Sequence, residues 1–169
     1  MLKLNIIGAG KVGRTLARLW TQHRVFAVQD LLTAHATSAA AAIEFIGAGR
    51  AAGSIPAMRV AEVWLLTLPA GRLAQCCEQL VSCALVRAGD VVFHCSGSQT
   101  AGELAPAVRA GAFVASVHPL KSFTDAARAA PTFAGTWCGA EGDAAALSLL
   151  KPAFAAIGGG LLSSTCQGR

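Results

Sequence analysis

The sequence predicts an α/β fold in which a mostly parallel sheet is covered by helices on both faces. Short apolar runs alternate with helix-like segments along the whole chain, which is the pattern of successive βαβ units. Glycines follow several of the helix-like segments, where they act as stop signals. The chain has 169 residues, of which 54% are hydrophobic, and this is enough for one domain with a buried core.

Seven apolar runs are predicted strands, at residues 2–7, 25–32, 61–68, 90–95, 112–117, 132–138 and 160–163. Helices are predicted between them, at Val12–His23, Ser38–Ile46, Arg72–Val86, Thr100–Ala110 and Asp143–Ile157. In the first helix, Leu16, Leu19 and Trp20 share one face, which suits a helix that covers a sheet. Pro106 is expected to kink the fourth helix. No repeat or linker divides the chain, so residues 1–169 are predicted to form one domain.

The composition narrows the classes of function. Charged residues make up only 14% of the chain, and no uninterrupted apolar stretch reaches the roughly 18 residues of a membrane span. The N-terminus lacks the pattern of a cleaved signal, so we expect a cytoplasmic protein without a membrane partner. The net charge is +5, but the 14 Lys and Arg residues stand singly, which does not favour nucleic-acid binding.

The six cysteines lack the spacing of a disulfide framework or a zinc site, so we expect neither a disulfide nor a metal. They are Cys76, Cys77, Cys83, Cys95, Cys138 and Cys166.

The strongest functional motif is the loop Gly8-Ala9-Gly10-Lys11-Val12-Gly13, which stands between the first strand and the first helix. In this setting the first glycine permits a tight turn, the second lets backbone amides approach a pyrophosphate, and the third allows close packing of the helix. The helix N-terminus then holds the phosphates, with added positive charge from Lys11 and Arg14. The motif predicts dinucleotide binding by a Rossmann-like, doubly wound sheet.

The residue that contacts the adenosine ribose follows the second strand, where an acid favours NAD and an arginine favours NADP. Asp30 lies 17 residues after Gly13 and can hold the 2′-hydroxyl. If the strand continues to Leu32, the turn formed by Thr33, Ala34 and His35 takes that place instead. Asp30 can equally be a strand-edge residue that faces solvent. The sequence alone does not decide between these interpretations of Asp30 and of the turn at residues 33–35.

Two further strand ends are expected to border the cofactor, because ligands of open α/β sheets bind outside the carboxyl ends of strands. Thr67, Leu68 and Pro69 end the third predicted strand, and Ser96 and Gly97 end the fourth. Ser96 offers a hydroxyl and Gly97 a bare backbone, which suits the nicotinamide ribose. The competing interpretation is that both segments are simple turns.

A third strand end carries the most reactive side chains. His118 can act as an acid, a base or a donor to a carbonyl, and Lys121 can hold an anionic substrate. Together with Ser96 they are the candidate catalytic residues. His118 can also be an ordinary polar loop residue, whereas His94 lies inside its strand and is expected to be structural.

These segments resemble the DUF2520 family, whose members pair a Rossmann-like NADP-binding domain with a C-terminal helical domain. The resemblance rests on the glycine loop and on AEVWLLTLP, VVFHCSGSQTAGEL, HPLKSF and FAGTWCGAEGD at 133–143. The chain is more distantly similar to pyrroline-5-carboxylate reductases, 6-phosphogluconate dehydrogenases and prephenate dehydrogenases. The resemblance implies hydride transfer between a nicotinamide cofactor, NADP or alternatively NAD, and a small molecule that it does not identify.

The sequence departs from that family at two points. Family members carry an Arg-Ser pair after the second strand, where this chain has Ala34 and His35, so His35 or Arg14 would have to meet a 2′-phosphate. Relatives also continue into the helical domain, and we expect this chain to correspond to the N-terminal domain alone. The apolar surface that would face a helical domain then favours a homodimer. A dinucleotide sensor without catalysis, or an interaction module with an empty loop, are the alternatives.

Overall fold

The predicted α/β fold is confirmed by a computed structural model, which describes residues 1–163. Its eight strands form one sheet in the order β3-β2-β1-β4-β5-β6-β7-β8. Only the β6–β7 pair is antiparallel, and the other six pairs are parallel. The strands are β1 Lys3–Ile7, β2 Ala27–Leu32, β3 Arg50–Ala51, β4 Val63–Leu66, β5 Val91–His94, β6 Phe113–Pro119, β7 Trp137–Gly142 and β8 Gly160–Ser163. Cys166 lies outside the described residues.

Helices cover both faces of the sheet, as predicted. They are α1 Lys11–Gln22, α2 Ala36–Ile46, α3 Leu73–Ser82, α4 Ala105–Arg109, α5 Ala126–Ala129 and α6 Ala144–Ala155. Residues of α1, α2 and α6 share a core with one face, and residues of α3 and α4 share a second core with the other. The sheet is therefore buried on both sides over its central strands, which explains why those strands are almost entirely apolar.

Trp20 is the centre of the first core. Its ring meets Phe26, Phe93 and Phe154 edge-on, with centroids 5.1, 6.2 and 5.2 Å away. The indole Nε1 also donates a hydrogen bond of 2.9 Å to the carbonyl of Ala153. This hydrogen bond joins α1 to α6, and it gives the indole N–H, the one polar group of the buried tryptophan side chain, a partner. It anchors the helix whose N-terminus carries the glycine loop.

Two strand predictions were wrong. The sequence did not indicate β3, a two-residue strand that pairs with β2 at Asp30 and Leu31. The strand expected at 132–138 is instead β7, Trp137–Gly142. Residues 131–136 form a turn with the buried ring of Phe133 in the core. The predicted strand begins too early because it includes this apolar residue.

The fourth predicted helix is also different in the structure. Residues 101–104 form a 3₁₀ turn, and α4 begins only at Ala105. Pro106 does not kink a longer helix, because it lies in the first turn of α4, where no backbone N–H is needed.

None of the helices within residues 1–163 combines the length and the apolar character that crossing a bilayer requires. Over the same range, Cys76, Cys77, Cys83, Cys95 and Cys138 are free thiols.

Candidate functional site

The glycine loop follows β1 and turns sharply at Gly8. Gly8 has φ +85°, a left-handed conformation, and a Cβ there would collide with the carbonyl of Thr67. Its N–H donates to the carbonyl of Leu32 at 2.7 Å, which ties the loop to the end of β2. Only glycine adopts the left-handed conformation and fits beside the carbonyl of Thr67 without strain.

Gly10 and Gly13 have opposite surroundings. Gly10 is the N-cap of α1, and a Cβ at this position would meet no atom within 4 Å. At Gly13, which is buried, a Cβ would lie 2.7 Å from Oγ1 of Thr67. Gly10 therefore faces open space, and Gly13 lets α1 pack against the end of β4.

The first turn of α1 offers unused donors. No side chain caps the helix, and within the described chain the amides of Lys11, Val12 and Gly13 donate to no backbone or side-chain acceptor. Unpaired amides at a helix N-terminus, with the positive end of the helix dipole, form an anion-binding site. Lys11 is exposed beside them.

A cleft of about 500 Å³ opens next to these amides. It brings together residues from the ends of β1, β4 and β5 with one from the loop after β6. They are Gly10, Lys11, Val12, Leu66, Thr67, Leu68, Cys95, Ser96 and Phe123. The predicted residues Thr67, Leu68 and Ser96 thus share one cleft with the glycine loop.

Cys95 and Phe123 are cleft residues that the sequence did not single out. Both belong to segments quoted for the resemblance, but their side chains carried no signal of their own. Burial, with a smaller effect of Cys138, raises the pKa of the Cys95 thiol well above its usual value. Cys95 therefore lines the cleft as a neutral thiol, the form that is a poor nucleophile.

The loop after β5 is held at both ends. Buried His94 accepts a hydrogen bond of 3.0 Å at Nδ1 from the N–H of Ser96, and its Nε2 lies 2.8 Å from the carbonyl of Thr100. Glu141 on β7 accepts from the N–H of Ala101. Because a carbonyl only accepts, His94 carries its proton on Nε2. His94 positions the loop that contains Ser96, so its structural role is as expected.

His118 lies against this loop with the opposite tautomer. Its Nδ1 is 3.4 Å from the carbonyl of Cys95, which only accepts, so the proton of the neutral ring is on Nδ1. A Cβ at Gly97 would lie 2.7 Å from Nε2 of His118. Gly97 therefore allows the imidazole to approach the backbone, and Nε2 is left as the hydrogen-bond acceptor.

The lining of the cleft includes neither Lys121 nor Pro69, and it also lacks His118 and Gly97. Lys121 follows β6 in the loop that precedes α5, and its half-buried side chain lines neither the cleft nor the cavity described below. Pro69 is exposed and begins the 3₁₀ turn Ala70–Arg72. The strand was expected to run to residue 68 and stop at Pro69, but β4 ends at Leu66, and Leu68 provides the contact with the cleft.

Asp30 is neither a ribose ligand nor a solvent-facing residue. Its side chain is fully buried, with Arg59 Nη2 at 2.7 Å and Arg50 Nε at 3.2 Å. Burial alone would raise the pKa of Asp30, but hydrogen bonds from the side chain and N–H of Arg59 and the charges of both arginines outweigh it and lower the pKa. The carboxylate forms the ion pairs that link β2 to β3 and to the segment before β4.

The turn after β2 begins at Thr33, because β2 does continue to Leu32. Thr33 Oγ1 donates to the carbonyl of His35 at 2.6 Å, and His35 is exposed at the N-cap of α2. Arg14 donates from Nε to the carbonyl of Ala9 at 2.7 Å and from Nη2 to that of Ser38 at 3.5 Å. Arg14 therefore braces the glycine loop against α2.

A second cavity, of about 340 Å³, opens beside this turn and shares Leu68 with the cleft. Its lining includes the turn after β2, the turn after β4 and the first turns of α3. Its lining residues include Gly8, Thr33, Ala34, Ser54, Arg72 and Gln75. The two cavities follow one another across the carboxyl ends of the strands.

Comparisons with known proteins agree with this architecture. A Rossmann-like domain model matches residues 1–119. No curated protein matches the chain in sequence.

Solved structures give fold matches at low identity. A Bacteroides fragilis protein, named as an NADP oxidoreductase, has a TM-score of 0.80 at 16% identity, over 96% of this chain and 60% of its own. The prephenate dehydrogenase of A. aeolicus, solved with hydroxyphenyl propionate and NAD+, has a TM-score of 0.78 at 15% identity, over 97% and 60%. The reductive aminase of Aspergillus terreus, solved with NADPH, has a TM-score of 0.67 at 17% identity, over 97% of this chain and 55% of its own.

At these identities the structures establish a shared fold, and the chain spans about 60% or less of the length of each. The family match covers well over half of this chain, and the strand order, the glycine turn and the position of the cleft agree with it. The chain belongs to the Rossmann-like domain family.

Proposed function

We propose that this chain is the nicotinamide-dinucleotide-binding domain of an oxidoreductase, with NADP as its cofactor and NAD as the alternative. The observation that carries the proposal is the cleft at the ends of β1, β4 and β5, with Gly10, Lys11 and Val12 on its wall. The chain runs outward from β1 in one direction and from β4 in the other. Ligands of open α/β sheets bind at such a point of reversal.

The chain's own groups fit a dinucleotide. The unpaired amides at the start of α1 and the charge of Lys11 suit a pyrophosphate. The bare backbone of Gly10 leaves room for it, since nothing lies within 4 Å of a Cβ built there. The apolar walls formed by Leu66, Leu68 and Phe123 suit a flat ring beyond the phosphates.

Of the candidate catalytic groups, Ser96 lines the cleft, whereas His118 contacts the loop after β5 beside the cleft. A bound nicotinamide cofactor supplies or accepts a hydride in the cleft. His118, held by the carbonyl of Cys95, keeps Nε2 free to accept a proton from a small substrate or return one to it. Ser96 lines the cleft, and its hydroxyl, which lies 3.2 Å from that of Ser98, would hold a ribose or substrate oxygen. Lys121 would attract an anionic substrate from the loop after β6.

The cleft is open to solvent, whereas hydride transfer requires that water be excluded. We therefore expect the chain to bind cofactor by itself and to turn over substrate only when a second domain covers the cleft.

Calorimetric titration with NADPH and NADH tests the proposal, with Gly10→Asp as the decisive variant. Gly10 has φ −67° and ψ −178°, which any residue adopts, and it stands at an N-cap, where aspartate is favoured. The variant should therefore fold with undiminished stability and yet lose binding, because its carboxylate repels the pyrophosphate.

Ala145→Asp is the matched control, since it puts the same charge in the exposed first turn of α6. It should bind as the wild type does. Failure of the wild type to bind either cofactor below the millimolar range contradicts the proposal, as does unchanged binding by Gly10→Asp.

A further inference from the structure

The cavity next to the turn after β2 contains an arginine that the sequence did not connect with cofactor binding. Arg72 ends the 3₁₀ turn that follows β4, and it lines this cavity together with Gly8, Thr33 and Ser54. In the sheet β1 lies between β2 and β4, so the turns after β2 and β4 face each other across the glycine loop. Strand spacing places them about 10 Å apart.

Arg72 is the available cation at this end of the site. Its side chain is exposed and makes no hydrogen bond or ion pair within residues 1–163. The neighbouring arginines are engaged: Arg50 and Arg59 bind Asp30, and Arg14 binds the carbonyls of Ala9 and Ser38.

The cavity also lacks an acid. None of its lining residues carries a carboxylate, and Asp30, the acid nearest the end of β2, is buried in its ion pairs. A site that selects NAD uses a carboxylate to hold the ribose hydroxyls and to repel a 2′-phosphate. Here the lining around a 2′-phosphate includes Ser54 and the arginine Arg72 and no like charge. The hydroxyl of Thr33, by contrast, already donates its proton to the carbonyl of His35.

We propose that Arg72 binds the 2′-phosphate of NADP and thereby selects NADP over NAD. The inference rests on the dinucleotide-binding function proposed above and deepens it. A guanidinium binds phosphate through charge-assisted, often bidentate hydrogen bonds. The selecting residue thus comes from the turn after β4, and it compensates for the arginine that is missing after β2.

Titration calorimetry with NADPH and NADH on the wild type, Arg72→Gln and Arg72→Lys tests this assignment. The wild type should bind NADPH roughly tenfold to a hundredfold more tightly than NADH, the range expected for hydrogen bonds to a charged group. Arg72→Gln should abolish most of that ratio by weakening NADPH alone. Arg72→Lys should fall between them, because it keeps the charge and loses the bidentate geometry.

Arg109→Gln is the control for a general loss of positive charge, because Arg109 is an exposed residue on α4 whose ion pair, within residues 1–163, is with Glu78. It should leave both affinities unchanged. Equal weakening of NADPH and NADH by Arg72→Gln would assign Arg72 to the adenine ring and overturn the proposal. Equal affinity of the wild type for both cofactors would also overturn it, while leaving the dinucleotide function intact. If neither binds, both proposals fail together.

Discussion

Thr67 donates a hydrogen bond of 2.6 Å from Oγ1 to the carbonyl of Gly8, which joins the end of β4 to the turn after β1. The same side chain occupies the space opposite Gly13, where a Cβ would lie 2.7 Å from Oγ1 and 3.2 Å from Cγ2. One threonine thus fixes the glycine turn and the approach of α1. The shape of the cleft follows from this contact, because its walls are the ends of β1, β4 and α1.

Gly13→Ala should destabilise the chain, because the added methyl displaces a side chain that is held by its own hydrogen bond. Overpacking of this kind costs about 1–3 kcal/mol, which exceeds the gain of about 1 kcal/mol in helix propensity. In a Thr67→Ala background the obstacle is gone, and the same change should become stabilising. Urea denaturation of the four proteins of this double-mutant cycle measures the reversal. An equal cost of Gly13→Ala in both backgrounds would show that Thr67 is not what Gly13 accommodates.

Asp30→Asn should remove part of the pH dependence of stability. The folded pKa of Asp30 lies below its ordinary value of 3.8, so the ionised group stabilises the fold above that pH. This contribution is lost as the pH falls from about 4 through the folded pKa. Asp30→Asn should therefore be less stable than the wild type at neutral pH, by about 1–3 kcal/mol for lost charged hydrogen bonds.

The measurement is the free energy of unfolding of both proteins between pH 7 and pH 2. The gap between them should narrow only at the acid end. Glu44→Gln, which changes an exposed carboxylate on α2, is the control and should follow the wild type. A gap that stays constant down to pH 2 would refute the role assigned to the ion pairs of Asp30.

His94→Leu should destabilise the chain and weaken cofactor binding together. Leucine keeps the bulk but leaves the part-buried N–H of Ser96 and carbonyl of Thr100 without their partner, at a cost of about 1 kcal/mol for each, the low end of the range for unpaired groups. His23→Leu, at an exposed position, should have little effect on either property. Thermal unfolding and NADPH titration measure the two effects. Wild-type affinity in a destabilised His94→Leu protein would mean that the loop after β5 takes no part in binding.

The first strand, the glycine turn and α1 could be predicted because their signals are local. The spacing of Gly8, Gly10 and Gly13 and the apolar face of α1 lie within some 20 consecutive residues. The convergence of Thr67 and Ser96 on the same cleft could also be predicted, since parallel strands place their carboxyl ends on one edge of the sheet.

What could not be predicted depends on contacts between distant residues. Asp30 meets Arg50 and Arg59 across 20 and 29 positions, and no periodicity in the sequence indicates such a pairing. The short strand β3 exists only through its partner β2. Arg72 shares a cavity with Thr33 only because the sheet places β1 between their strands. The assignment of residues 1–169 to one domain, the DUF2520 resemblance and a homodimer stay predictions.

The location of bound NADPH is the decisive measurement for the proposed site, because cavity size alone does not identify where the cofactor binds. A cavity of about 550 Å³, slightly larger than the cleft, lies at the opposite end of α1 and is lined by Arg18, His23 and Ala130 among others. Titration of ¹⁵N-labelled protein with NADPH, followed by amide chemical shifts, distinguishes the two places. Binding at the proposed site should shift the amides of the glycine loop, of Thr67 and Leu68, and of Cys95 and Ser96. Shifts centred on Arg18 and Ala130, or none at millimolar NADPH, would contradict it.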